Sequence, residues 1–209
     1  GLEYLEAYGS EMTTPAYNAL NDALVAAEAA VDSEDFDQMS AALSAIAKAT
    51  IAAGENRTAV TELSSALDAL DLAIVDYEET ATAEALTNAG ALMEKFGGDA
   101  LMALTTEEVK AAVEEVKAAA LKLKIPNTVT EASDENPVDL TVLIPNADFG
   151  AGANVDWAYT KNGGNGPVYA NGYDGPGFEF WNGTVTNLAF DIYQALSALP
   201  EGKYTLAAD

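Results

Sequence analysis

The sequence predicts a two-part molecule: an antiparallel bundle of four to five helices, then a partial antiparallel β-sandwich of jelly-roll type. Three observations carry this reading. Composition changes near Pro126: residues 1–126 hold 31 Ala, six Gly and six aromatic residues, against ten Gly and eleven aromatic residues in the shorter stretch 127–209. Apolar residues of the first part recur at spacings of three and four, which places them on one face of a helix. The second part breaks into short β-prone runs separated by Asn, Gly and Pro clusters, the punctuation of strands and turns. The expected boundaries are 1–126 for an acidic, Ala-rich bundle, 127–137 for a polar linker, and 138–209 for the β part.

The first helix is expected to open at Thr14-Pro15, a capping residue followed by proline at the first helical position, with the seam Tyr17, Leu20, Leu24, Ala27 and Val31. Ser33 is the expected cap of the second, whose seam is Phe36, Met39, Leu43 and Ile46 and whose end is Gly54. A third begins at residues 56–58 and carries the cleanest stripe: Val60, Leu63, Leu67, Leu70, Ile74 and Tyr77. A fourth runs over 82–96 and stops at Gly97-Gly98. The fifth opens with Thr105 and Glu108, spaced as a capping box, and ends before Pro126. Short connections make neighbouring helices antiparallel. In the β part, strands are expected over 138–144, 155–160, 178–181, 188–196 and 204–208, with turns at 162–167 and 174–177.

Composition excludes whole classes of chemistry. There are 34 Asp and Glu against nine Lys and Arg, a formal charge of −25 at pH 7. Such a field repels phosphate backbones and anionic headgroups, so nucleic acid is not an expected partner. No apolar run is long enough to span a bilayer, and no membrane insertion is expected. With no Cys and no His, disulfides, thiol nucleophiles, imidazole bases and His-based zinc sites are ruled out. Only a carboxylate pair could support catalysis, as in glycoside hydrolysis. Glu179 and Asp191 are the least generic candidates, but acids are so abundant that proximity alone carries no weight. The chain is therefore expected not to be an enzyme.

Two stretches of the β part carry a family resemblance. One is Leu143-Ile144-Pro145-Asn146-Ala147-Asp148-Phe149 with Trp157 following. The other runs from Phe190 through Tyr193-Gln194-Ala195-Leu196 to Leu199-Pro200 and Gly202-Lys203-Tyr204-Thr205-Leu206. Together they resemble the opening and a strand–turn–strand of galactose-binding-like, or carbohydrate-binding-module, jelly rolls. The order of parts is similar to that of surface and secreted proteins of Bacteroides-type bacteria, in which Ala-rich helical repeats precede such sandwiches. The resemblance implies a non-catalytic, secreted or cell-surface glycan-binding or adhesion protein of a Gram-negative bacterium, with the helical part as a spacer. The family's sandwich has about eight strands, so the chain is expected to stop part-way through one.

Sugar recognition needs flat aromatic rings and planar polar groups. Tyr169, Tyr173, Trp181, Asn171 and Asp174 are the expected ligand-binding residues, with Trp157 assigned to the core. No cofactor is expected. Asp148, Asp156 and Asp174 are the candidates for a structural calcium ion, although their spacing matches no compact loop motif. The sequons at Asn56 and Asn182 are read as idle in a bacterial protein. The competing expectation is a structural or protein-interaction role, or a non-catalytic piece of a polysaccharide-degrading enzyme. An interaction role would show as an exposed apolar strip on the helices, or as strand pairing at 204–208.

Overall fold

The computed structural model describes residues 1–151, 155–161, 165–172, 175–181, 189–196 and 199–206. It divides into two compact units, Gly1–Asn127 and Thr128–Asp209.

The first unit contains five α-helices: α1 (Leu2–Tyr8), α2 (Thr14–Asp32), α3 (Phe36–Tyr77), α4 (Ala83–Phe96) and α5 (Thr106–Leu123). The capping signals explain most of these boundaries. Thr82 accepts a hydrogen bond from the Ala85 N–H, and Thr105 and Glu108 complete a reciprocal capping box. Gly97 closes α4, and Gly98 follows with φ of +57°, a left-handed conformation that costs glycine little. The core lies where the C-terminal part of α3 meets α4 and α5. Leu63, Leu70, Val109, Val116 and Leu123 are inaccessible there, each contributing roughly 2 kcal/mol by burial.

Three expectations about this unit are corrected. Residues 36–77 form one helix of 42 residues, about 63 Å long, rather than two helices broken at Gly54. A helical glycine costs only about 1 kcal/mol relative to alanine. Asn56, two residues on, turns its amide to a tertiary network instead of capping a new helix. The cap of α3 is Asp35, whose carboxylate accepts from the N–H groups of Asp37 and Gln38; Ser33 donates its hydroxyl to the Ala30 carbonyl. Helix α1 was not expected, being too short to persist alone. It is held by buried Leu5, in a small second cluster with Met12, Leu20 and Ala53, and by Arg57, which pairs with Glu11 and lies 3.9 Å from the Tyr8 ring centre.

In the second unit the described residues form two separate two-stranded antiparallel ladders. β1 (Ala158–Lys161) pairs with β4 (Phe190–Tyr193), and β2 (Asn165–Gly172) with β3 (Gly175–Trp181). A complete sandwich is not seen among these residues. The expected strand at 138–144 is instead irregular chain with a 3₁₀ turn at Thr141–Leu143, because the Asp139 carboxylate accepts the Thr141 N–H at 2.8 Å and curls the backbone. Residues 165–167, expected in a turn, belong to β2, and 175–177 to β3. Residues 204–206 are not in a strand, and 207–208 lie outside the described residues. Near the start of the expected linker, Asn127–Glu131 forms a 3₁₀ turn.

Candidate functional site

Of the expected ligand-binding residues, Tyr169 and Asn171 lie in β2 and Trp181 in β3. The register sets Tyr169 opposite Phe178, Asn171 opposite Pro176 and Trp181 opposite Asn165, so one ladder brings these three into a single element pair. Tyr173 and Asp174 lie outside the described residues, as does Asn182. Trp157 is partly buried in a local knot: its indole N–H donates to the Asn146 carbonyl at 2.9 Å, and its ring lies 5.1 Å from that of Phe149. A half-buried indole whose N–H is satisfied and whose ring lies against another is acting in local packing. The β1–β4 ladder is exposed along both strands and displays Tyr159, Phe190, Ile192 and Tyr193.

The carboxylates among the described residues serve local turns and caps. Asp148 accepts the N–H of Gly150 at 3.0 Å in a local turn, and no cluster of three potential metal ligands occurs among the described residues. Glu179 is in β3 and Asp191 in β4, which belong to different ladders. Asp191 accepts from the Thr160 hydroxyl. Among the described residues, three carboxyl groups are displaced from their ordinary range, all downward. Asp35 is held down first by the Gln38 N–H, Glu108 by the Thr105 N–H, and Asp139 by the side chain of Thr141. These are caps and turns; a general acid would need a carboxyl pushed upward.

The helical unit carries two features that sequence reasoning missed. One is Asn56, fully buried at the middle of α3. Its Oδ1 accepts the Thr13 N–H at 2.9 Å, while its Nδ2 donates to the hydroxyls of Thr13 and Thr106, each at 3.0 Å. Thr13 and Thr106 stand at the starts of α2 and α5, so one side chain ties two helix beginnings to a third helix. The Asn56-Arg57-Thr58 sequon is therefore closed: a glycan on this nitrogen would break the network. Only the lone polar residue in an otherwise helical stripe could have signalled it.

The other feature is an unpartnered helix face. Helix α5 starts beside Asn56, and no residue of α3 before Ala53 is buried. Along that stretch Phe36, Leu43 and Ile51 are 79%, 71% and 65% exposed. Spacings of seven and eight residues hold them within about 80° of the helix circumference and over about 22 Å. Helix α2 packs along this part of α3. Between residues 14 and 53 there are six carboxylates (Asp22, Glu28, Asp32, Glu34, Asp35, Asp37) and one lysine, Lys48, all exposed.

Two open clefts lie near the start of α2. One, of about 520 Å³, is lined by Thr14, Pro15, Asn18, Asp99, Met102 and Ala103. The smaller, of about 190 Å³, is walled mainly by alanines of α2 and α3 with Thr105 and Thr106. Among the described residues, no helix is long and apolar enough to cross a membrane. No protein-family model, no curated protein and no solved structure matches the chain.

Proposed function

We propose that this chain is a non-catalytic interaction module whose helical unit docks another macromolecule on the α2–α3 hairpin. The observation that carries the reading is the stripe of Phe36, Leu43 and Ile51, apolar side chains left in water on the part of α3 that precedes its first fully buried residue, Ala53. A helix of a globular protein buries its apolar face, and a contiguous exposed one marks an interaction site. The test is site-specific photo-crosslinking in the protein's native setting, with the crosslinker at Ala47, inside the stripe, or at exposed Asp71, far along α3. A single adduct formed from position 47 and absent from position 71 is the expected result. Equal labelling from both positions, or none, would retire the reading.

A second reading is glycan binding by the β unit, with the protein secreted or displayed on a Gram-negative cell surface and the helices as spacer. It is supported by the placing of Tyr169, Asn171 and Trp181 in one strand pair, and by the resemblance of residues 143–157 and 190–206 to galactose-binding-like modules. Both tryptophans lie in this unit, so intrinsic fluorescence reports on it without background from the helices. Titration with soluble polysaccharides should give a saturable change that Trp181→Ala abolishes; a flat titration across the panel would count against it.

A further inference from the structure

We infer that the occupant of the α2–α3 face is a basic amphipathic helix of another polypeptide, an inference that rests on the interaction reading above. The stripe has the dimensions of a helix-docking surface. Phe36, Leu43 and Ile51 fall on one side of α3 over about four turns, the length of an apolar seam of i, i+3 and i+4 spacing continued to about i+14 on a partner helix. Small residues lie between them: Ser40 and Ala47 occupy the intervening turns and leave room for a partner's larger side chains to settle.

Charge then chooses the partner. The hairpin from residue 14 to 53 carries six carboxylates and one lysine, a net of −5, and Phe36 itself stands between Asp35 and Asp37. A second copy of the chain would set this acidic surface against itself, with each molecule carrying a formal charge of −25. Such like-charge juxtaposition opposes association and slows encounter. An anionic membrane is repelled for the same reason. A helix with leucines along one side and lysines or arginines beside them gains on both counts, burying the stripe and meeting the carboxylates gathered near its Phe36 end, Asp32, Glu34, Asp35 and Asp37.

The experiment uses the full chain and three synthetic helical peptides: one of leucine and lysine in helical period, one with glutamate for lysine, and one with glutamine for lysine. Binding is followed by fluorescence anisotropy at physiological ionic strength, and the oligomeric state by light scattering. The leucine–lysine helix should bind saturably, and Leu43→Ser and Ile51→Ser, singly, should each weaken it about tenfold while the helical circular dichroism stays unchanged. The glutamate peptide should not bind. Lysine-peptide binding insensitive to both substitutions would mean charge attraction alone and would overturn the inference. So would a dimer of the chain that Leu43→Asp splits. If the glutamine or glutamate peptide binds as tightly and with the same dependence on Leu43, the docking face stands and the basic partner falls. If no peptide shows any dependence on Leu43 or Ile51, the interaction reading falls with it.

Discussion

Asn56 shows how much one side chain can organise. Its amide uses one acceptor and two donor positions on Thr13 and Thr106, in a site closed to water. Removing it strands the Thr13 N–H, a buried donor with no replacement. Asn56→Ala should therefore cost about 2 kcal/mol in chemical denaturation and Thr13→Val about 1 kcal/mol. The double variant should lose less than their sum, because the second change removes a group whose partner is already gone. Strict additivity would show that the two do not act as one network. This residue also marks where sequence reading failed. An Asn two positions after a Gly reads as a helix start, and only the arrival of Thr13 and Thr106, 43 and 50 residues away in sequence, makes burying it worthwhile.

At the scale of elements, the parts written in local chemistry were legible and the parts decided by distant contacts were not. Helix α5 follows from its capping box, and α4 from Thr82 and the Gly97-Gly98 stop. The stripe Leu63, Leu67 and Leu70 is buried as its spacing implies. Residues 138–144, rich in β-branched and aliphatic side chains, looked like a strand until Asp139 closed a turn onto Thr141. Of the residues expected to contact a sugar, Tyr169, Asn171 and Trp181 fall in the single ladder β2–β3. Capping also sets a pH dependence. Glu108 is held below its ordinary range by the Thr105 N–H and hydroxyl. A carboxylate depressed in the folded state stabilises it above the unfolded group's titration range, and that contribution disappears as pH falls through the folded value. Glu108→Gln should accordingly melt at a lower temperature than the parent at neutral pH. The gap should close in acid, where the parent's Glu108 is also neutral. A gap unchanged across that window would mean that Glu108 acts through something other than its charge.

For the whole molecule, the division at Asn127 has a direct consequence. Every member of both helical clusters lies within Gly1–Asn127, so that unit carries its own core. The fragment 1–127 should keep the helical circular dichroism of the full chain and unfold at the same midpoint, within about 0.5 kcal/mol. A fragment that melts early or aggregates would show that residues 128–209 complete the helical core. The excess of acids bears on the same scale. With −25 formal charges the compact state repels itself, and salt should stabilise it by screening.

The single long helix α3 also has a temporal side. Its backbone is continuous from Phe36 to Tyr77, yet its fully buried residues begin only at Ala53, the earlier part being half-covered by α2. Amide protons up to about Ile51 are released whenever that arm frays, whereas those around Leu63 and Leu70 are released only when the unit unfolds. One helix thus holds two clocks, and the change between them falls at Asn56. Whatever closes over Leu43 and Ile51 would slow the fast clock while leaving the slow one nearly untouched.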